Sequence, residues 1–372
     1  MRSRRPEHWS VLLLTLWLVG VRAVAQVPVP FVSEAQRFVV FTDKRFEVLE
    51  PRPPRQYHAM EGQVVYLDHD GRLKLFLAEG RRLHLLQERV PDTLVVRGGR
   101  VAWANADTVY LLRGGRPTRV AHDIERFTVS DSLLVLHDSS RQELVASWRG
   151  QLLPMATLER GSERPQWAHG TDRVTFHDRG ALKLHQFRAG RRELLTDSCG
   201  LALVATGGGI TGYWNDVKDR FEVQDARGVH VASELRPWSA KAGEGILGFV
   251  DGNGRLRCWQ NGVLHALTDS MPTEYWVQDS LLLWVQGGVL RLFDPAGTIT
   301  VEPYVPERWR IVGGLLVWLD MNRELRGLQH GKRLRYGTEA AIRTFEVHGD
   351  AVVYPSPLGH TVVVRKGRSY VY

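Results

Sequence analysis

Aspartate recurs in short turns that could supply oxygen ligands to a metal ion. The turns are DHDG (68–71), HDSS (137–140), HDRG (177–180), DGNG (251–254) and DMNR (320–323). Calcium needs six to eight oxygens, and no turn is followed by the distant glutamate of a full calcium loop. Asp and Asn also bond their own backbone in ordinary turns. We therefore interpret these turns as structural and predict no metal site.

Histidine precedes aspartate in three of these turns, which suggests ligands for a transition metal. The histidines are His69, His137 and His177, about 40 or more residues apart. Because each falls in a separate repeated stretch, convergence on one ion is not expected. We predict that they are surface side chains.

The usual signatures of catalysis and cofactor binding are missing. The glycine cluster in GGGITGYW (207–214) could cradle a phosphate, but no Gly-Lys followed by Ser or Thr comes after it. We interpret the cluster as a flexible connection between repeated units. Ser198, Ser270 and Ser356 lack the GxSxG context of a hydrolase nucleophile, and HExxH is absent. We predict no catalytic residue and no cofactor.

Aromatic residues in the extended pieces that begin with Pro could stack on a sugar or a peptide, because aromatic rings are common binding anchors. They are Tyr57, Trp167, Trp238, Trp276 and Trp309. Since they recur at the same place in each repeated stretch, packing between neighbouring units is the favoured interpretation.

The elements that position these residues repeat along the chain. The clearest copies are VVYLDHDGRLKLFLAEG (64–80), LGFVDGNGRLRCWQNG (247–262), LLWVQGGVLRLFDPAG (282–297) and LVWLDMNRELRGLQHG (316–331). Their closing glycines belong to a series at 80, 115, 150, 190, 228, 262, 297, 331 and 367, with spacings of 34 to 40 residues. A shorter tenth copy is expected at 37–51. Such a fixed period is typical of repeat architectures, in which neighbouring units share a core.

Each copy predicts antiparallel strands. Alternation such as RLKLF, rich in β-branched and aromatic residues, is typical of half-buried strands. Asp or Asn fits the first turn, and the closing Gly fits a turn with positive φ. An extended piece introduced by Pro and an aromatic residue adds a fourth strand. Segments of helix length are absent, so the predicted fold class is all-β.

Four short strands at this period resemble the blades of a β-propeller, and the resemblance covers about residues 35–372. The units look most like those of uncharacterised exported bacterial repeat proteins, and this resemblance implies no activity. About 8 to 10 units are expected, in one large ring, two smaller rings or a ring with irregular copies. In a closed ring, QRFVVF (36–41) would complete the sheet of the C-terminal GRSYVY (367–372).

Residues 1–25 have the features of a signal peptide: a basic start, an apolar run and AVA (23–25) as a cleavage site. We expect cleavage near Ala25, then an N-terminal extended segment (26–36) and a repeat domain (37–372). The localisation is therefore predicted to be secreted or periplasmic, with no transmembrane segment in the mature chain. Cys199 and Cys258 could pair after export or remain as two buried thiols.

Charge argues against nucleic acid as a partner. Removing residues 1–25 lowers the formal net charge from +8 to +5, and basic residues alternate with carboxylates along the whole chain. The predicted function is a non-catalytic binding or scaffolding module for an unknown protein or glycan of the cell envelope. The alternative is a cell-envelope hydrolase or lyase with a site on the propeller face.

The irregular copies suggest where a partner would bind, because functional sites break local rules. They are RGSERPQWAHGTD (160–172), TDSCGLALVATGGG (196–209) and DVKDRFEVQDARG (216–228). Within them, Lys218, Asp219 and Arg220 form the candidate partner surface.

Overall fold

The chain is a ring of small sheets, as seen in a computed structural model that describes residues 26–158, 166–178, 183–197, 203–337 and 342–372. These residues form 39 β-strands, and their helical segment is a 3-10 turn at Glu79–Arg81. The strands make ten antiparallel sheets in chain order, which confirms the all-β prediction. No helix within the described residues is long and apolar enough to cross a membrane.

Each sheet is one blade of the ring, numbered in chain order. Blades 1 to 5 comprise, in turn, β1 (Val29–Val32), β2 (Phe38–Thr42), β3 (Arg45–Glu50); β4 (Gln56–Met60), β5 (Gln63–Leu67), β6 (Leu73–Leu77), β7 (Arg82–Gln87); β8 (Thr93–Arg97), β9 (Arg100–Asn105), β10 (Thr108–Arg113), β11 (Arg116–Ala121); β12 (Ile124–Val129), β13 (Leu134–Asp138), β14 (Glu143–Trp148), β15 (Gln151–Thr157); β16 (Trp167–His169), β17 (Arg173–Asp178), β18 (Lys183–Arg188), β19 (Arg191–Thr196).

Blades 6 to 10 follow the same order from the innermost strand to the outer strand. They comprise, in turn, β20 (Val204–Thr206), β21 (Thr211–Asn215), β22 (Arg220–Asp225), β23 (Gly228–Ser233); β24 (Ser239–Ala242), β25 (Ile246–Val250), β26 (Leu256–Gln260), β27 (Val263–Ala266); β28 (Glu274–Gln278), β29 (Leu281–Gln286), β30 (Val289–Asp294), β31 (Gly297–Glu302); β32 (Trp309–Val312), β33 (Leu315–Leu319), β34 (Leu325–Gln329), β35 (Lys332–Gly337); β36 (Glu346–His348), β37 (Ala351–Pro355), β38 (Thr361–Arg365), β39 (Arg368–Val371).

The sequence of each strand matches its layer in the blade. Second strands such as Leu315–Leu319 (LLVWL) are buried at every position, because both faces pack on neighbouring blades. Outer strands such as Lys332–Gly337 (KRLRYG) alternate between exposed and partly buried residues. All nine closing glycines have positive φ, between 72° and 128°, as the turn before the outer strand was predicted to require.

An aromatic side chain occupies the same register position of the second strand in nine blades. These residues are Phe31, Tyr66, Trp103, Phe176, Tyr213, Phe249, Trp284, Trp318 and Tyr354, with Leu136 in blade 4. Each aromatic residue is at most 5 % exposed. One large buried side chain per blade therefore contributes to the shared core between neighbours.

Ten apolar clusters join each blade to the next, which closes one ring rather than two smaller ones. The clusters run from blades 1 and 2, where Phe38 meets Tyr66, to blades 9 and 10, where Val317 meets Tyr354. The last cluster packs Val29 and Phe31 of blade 1 against blade 10. The predicted range of blade numbers is thus confirmed at its upper end.

Blade 1 has only three strands among the described residues, and the missing one is the innermost. The backbone at Gln26 and Val27 contacts Gly62 and Arg365, at the end of the ring where the innermost strands of other blades finish. The strand Val29–Val32 therefore runs as second strands do, and it packs on the second strand of blade 10. The prediction that 36–41 pairs with 367–372 is wrong, because Phe38–Thr42 pairs within blade 1.

Side chains bridge the place where the described residues supply no innermost strand to blade 1. The Tyr57 hydroxyl in blade 2 donates to both carboxylate oxygens of Glu346 in blade 10, at 2.8 Å each. His348 also lies 3.0 Å from Glu346. Burial raises the pKa of Tyr57, and the adjacent Glu346 carboxylate raises it further. The phenol therefore remains a hydrogen-bond donor throughout the physiological pH range.

Replacing Tyr57 with phenylalanine should lower the free energy of unfolding by about 1–2 kcal/mol, because one charge-assisted hydrogen bond at a partly exposed site is lost. Urea denaturation measures the change. Glu346→Gln should cost a similar amount, and the double variant should cost less than the sum of the two, since both remove one interaction. Additive losses would show that the two residues do not act together.

Candidate binding surface and channel mouth

The recurrent aspartate turns stabilise the blades themselves. One carboxylate oxygen of Asp251 accepts from the backbone N–H of Asn253 at 3.0 Å and of Arg255 at 2.9 Å. The other oxygen pairs with Arg257 at 3.0 Å. Asp320 is bonded in the same way, and Asp68 accepts from the backbone N–H of Arg72 and pairs with Lys74. Within the described residues, no group of three or more His, Cys, Asp or Glu side chains is placed to hold a metal ion.

The histidines of these turns differ in their environments. His69 is exposed, as predicted. His137 is only 6 % exposed, so its prediction as a surface residue is wrong. It belongs to the second strand of blade 4 rather than to the turn, and it lies 3.3 Å from Glu125.

The glycine cluster at 207–209 is a tight hairpin turn inside blade 6, so its interpretation as a flexible connection between units is wrong. A Cβ atom on Gly207 would lie 2.0 Å from the carbonyl oxygen of Gly243. A Cβ atom on Gly170 would lie 2.0 Å from the carbonyl oxygen of Gly207, and one on Gly243 would lie 2.2 Å from that of Asp279. The glycines therefore allow the hairpins of blades 5 to 8 to pack together around the axis.

These hairpins surround the mouth of the central channel, where a cavity of about 720 Å³ is lined by residues of blades 3 to 9. We call this end of the ring the hairpin face. Glu244 accepts a hydrogen bond of 2.5 Å from the Thr171 hydroxyl. Burial raises the pKa of Asp131, and the nearby Glu244 carboxylate raises it further. The mouth thus contains a carboxyl group that holds its proton more tightly than usual.

The opposite end of the ring, the loop face, carries the turns between second and third strands and the connections between blades. Lys218, Asp219 and Arg220 lie there, at the second turn of blade 6. Lys218 and Arg220 bind the buried Glu222 carboxylate, at 3.3 and 2.8 Å. Their charges are therefore partly neutralised within the chain.

Of the two other irregular segments, 196–209 adjoins this turn through its first residue, whereas Gly170 and Thr171 of segment 160–172 line the channel mouth at the opposite, hairpin face. Thr196 at the end of blade 5 donates a hydrogen bond of 3.0 Å to Asn215, just before the turn. Residues 159–165 and 198–202, with Ser198 and Cys199, lie outside the described residues, as does the predicted signal peptide (1–25). Cys258 is a buried free thiol in blade 7, and burial raises its pKa to about 12.

Four of the five aromatic residues in the extended pieces that begin with Pro pack between blades, as predicted. Trp276 and Trp309 contact edge to face at 5.0 Å, Tyr57 packs on Phe38, and Trp167 lies against the core of blades 4 and 5. Trp238 is the exception, since its side chain is 69 % exposed. Its indole N–H donates to the carbonyl of Gly252 at 3.3 Å, which fixes the ring over the turn of blade 7.

Trp238 belongs to an exposed apolar patch on the loop face, which we define as Leu235, Trp238 and Met271. Leu235 is 49 % exposed and Met271 61 %. Both lie beside the turn DGNG, since a Cβ atom on Gly252 would be 2.7 Å from Leu235 and one on Gly254 would be 3.6 Å from Met271. Val217, next to Lys218 on the neighbouring blade, is 65 % exposed. Exposed apolar groups that cluster in this way mark interaction sites.

A family model described as "10-bladed beta propeller domain" matches residues 22–370 of the chain. No curated protein sequence matches it.

Solved structures with a similar fold include the computationally designed Ika8 protein, at 12% identity over 75% of this chain and 94% of that one, with a TM-score of 0.35. The WD40 ectodomain of the Arabidopsis thaliana receptor kinase ACR4 matches at 11% identity over 66% of this chain and 96% of that one, with a TM-score of 0.37. Yeast RCC1 (Prp20), solved with Kap60 bound, matches at 9% identity over 57% and 74%, with a TM-score of 0.36.

Proposed function

Because the chain belongs to the family of 10-bladed β-propeller domains, we propose that it is an exported binding module whose loop face docks a protein of the cell envelope. A propeller suits a protein-interaction or scaffold role, since its blades hold variable loops rigidly. Export is supported by the basic, apolar and small-residue regions of residues 1–25.

The observation that carries the proposal is the exposure of Trp238. A half-buried tryptophan edge is common, but a ring that is 69 % exposed and fixed over a turn is costly unless a partner covers it. Trp is among the residues that dominate binding energy at protein interfaces. Its neighbours Leu235 and Met271 are aliphatic or thioether side chains, which favour a protein partner over a glycan.

The charged residues of the candidate surface complete this site. Lys218, Asp219 and Arg220 lie on the same face, one blade away from the apolar patch. We propose that they form the polar rim around the apolar centre, an arrangement typical of protein interfaces. Rim charges contribute more to the rate of association than to the final affinity.

Replacing Trp238 with alanine should weaken partner binding by at least about 30-fold, the loss expected of an interface hot spot. Partners are recovered by photo-crosslinking on native cell envelopes, and their dissociation constants are then measured with purified components. Leu264→Ala is the matched control, because Leu264 is 42 % exposed on the outer strand of the same blade.

Equal recovery by the Trp238 and Leu264 variants would refute the loop-face site. If the partner were a glycan, purified envelope polysaccharide would bind the wild-type protein as tightly as the partner recovered by crosslinking. Trp238→Ala would weaken that binding by the same factor. Replacing Lys218, Asp219 and Arg220 together with alanine should mainly slow association.

The hydrolase or lyase alternative is supported by one observation at the hairpin face. Asp131, with its raised pKa, lies near the Glu244 side chain, and a carboxyl group with a raised pKa beside a second acidic side chain is an arrangement that general acid-base chemistry can use. Turnover of envelope glycans or peptides by the wild type, lost in Asp131→Asn, would establish this function. Binding at the loop face would persist in that variant.

A further inference from the structure

A carboxylate joins neighbouring blades at one repeated position. In blade 2, Tyr66 on the second strand and Lys74 on the third both donate to Glu50, at 2.8 and 2.7 Å. Glu50 is the last residue of the outer strand of blade 1. Lys74 also pairs with Asp68 at 2.8 Å. The cation and the aromatic donor of this blade are thus satisfied by two carboxylates.

Blade 9 repeats this arrangement with different residue types. The Trp318 indole donates to Glu302, the last residue of the preceding outer strand, at 2.9 Å. Arg326, which lies opposite Trp318, pairs with Asp320 at 3.1 Å and with Glu324. An indole and a guanidinium therefore need the same carboxylate partners here as the phenol and the ammonium of blade 2.

Blade 8 has the two donors in the same register but neither carboxylate. Trp284 lies opposite Arg291, as Trp318 lies opposite Arg326. Thr268 stands in the position of Glu302, and its hydroxyl is already bonded to the N–H of Leu256 and to the carbonyl of Ser270. Gln286 stands in the position of Asp320, and its amide donates to Ser270.

Two donors are consequently left without an acceptor. Trp284 is 0 % exposed, and within the described residues neither its Nε1 nor the buried Nε of Arg291 has a hydrogen-bond partner. No ion pair to Arg291 occurs within the parts of the chain that the structure describes. Buried polar atoms are almost always bonded in folded proteins, so two neighbouring orphans indicate a missing acceptor.

We propose that Trp284 and Arg291 form a slot for an acidic side chain of the protein partner. This inference rests on the proposed function, because the slot lies close to the apolar patch. Thr268 at the slot is three residues from Met271 of the patch. The Arg291 side chain is partly exposed, which gives a carboxylate access from solvent. Guanidinium and indole N–H groups together bind one carboxylate through charge-assisted hydrogen bonds.

The slot is tested directly with sodium acetate as the probe. In protein labelled with ¹⁵N at its tryptophan indoles, the Trp284 resonance is assigned with Trp284→Phe. Acetate should shift it downfield in a saturable way in the millimolar range, whereas sodium chloride at equal ionic strength should not. The Trp318 indole, already bonded to Glu302, is the internal control and should not move.

Arg291→Gln should abolish the acetate-dependent shift. No saturable shift in the wild type, as expected if a water molecule satisfies both donors, would overturn the slot. An acetate-dependent shift in Arg291→Gln equal to that of the wild type would also overturn the slot.

Partner binding provides a second and distinguishable test. Arg291→Gln should weaken the partner by about tenfold to a hundredfold, the range for one hydrogen bond to a charged group. Gln286→Asp should weaken it too, because an internal carboxylate would then occupy Arg291 as Asp320 occupies Arg326. Gln286→Asp keeps Arg291, so it still tests the slot if Arg291→Gln does not fold.

The outcomes separate the two proposals. Loss of binding in Trp238→Ala but not in Arg291→Gln or Gln286→Asp would overturn the slot and leave the loop-face site standing. No loss in Trp238→Ala would overturn the proposed function, and the acetate titration would still decide whether the slot binds a carboxylate.

Discussion

Replacing Trp318 with alanine is expected to lower the free energy of unfolding by about 3–5 kcal/mol, the usual range for deleting a buried aromatic side chain. Trp318 is 0 % exposed and lies in the apolar cluster that joins Leu283 and Leu292 of blade 8 to Leu316 of blade 9. The substitution also removes the indole donor from Glu302. A loss of this size is a large part of the stability of a typical domain. Urea denaturation followed by tryptophan fluorescence measures it.

Trp238→Ala is the matched control, because it makes the same chemical change at an exposed position. Its effect on stability should stay within about 0.5 kcal/mol. Comparable losses in the two variants would mean that the Trp318 ring is not essential to the contact between blades. Trp318→Phe should retain much of the packing, so its loss should fall between those of the other two.

The repeat itself could be predicted from the sequence because one blade uses the same local chemistry each time. The closing glycines satisfy a backbone requirement that other residues meet only with strain, so their spacing marked nine of the ten units. Burial on both faces of the second strands requires apolar runs, which made those strands visible. These features depend on neighbours close in sequence, and the structure confirmed them.

Features that depend on residues far apart were not predictable in the same way. Trp238 follows Pro just as the packed aromatic residues do, and only the position of its neighbours leaves it exposed. That the structurally described part of the chain supplies no innermost strand to blade 1 depends on the direction of Val29–Val32 relative to blade 10. The pairing of Tyr57 with Glu346 joins residues 289 positions apart.

The proposed carboxylate slot could have been suspected from an alignment of the repeats. Position by position, Arg291 matches Lys74 and Arg326, and Gln286 stands where Asp68 and Asp320 stand. In the sequence, therefore, Arg291 is a cation without the nearby aspartate that Lys74 and Arg326 have. The second lost partner, at Thr268, becomes visible only when the outer strand of blade 7 is placed beside blade 8, because the two residues belong to different units.

Glu222→Gln should be the other variant with a large effect, lowering the free energy of unfolding by about 3–5 kcal/mol near neutral pH. The carboxylate is 1 % exposed and accepts hydrogen bonds of 2.9 Å from both Tyr213 and Asn215. Lys218 and Arg220 add two charged donors. A glutamine amide would direct its own N–H groups at these donors and leave several buried groups unsatisfied.

The effect should depend on pH in a defined direction. Burial alone would raise the pKa of Glu222, but the hydrogen bonds from Asn215, Arg220 and Tyr213 outweigh it and hold the pKa below the ordinary value of 4.5. The carboxylate therefore contributes its stability fully above pH 4.5, and the contribution is lost as the pH falls through the lower pKa of the folded state. The difference between wild type and Glu222→Gln should shrink in that range.

Glu274→Gln makes the same substitution at an exposed position of blade 8 and controls for the general effect of removing one negative charge. Its effect should remain within about 0.5 kcal/mol at every pH. Acid titration of the other carboxylates destabilises all three proteins equally, so it cancels in the differences. A difference between wild type and Glu222→Gln that is constant with pH would show that the charge on Glu222 does not stabilise the turn that presents Lys218 and Arg220.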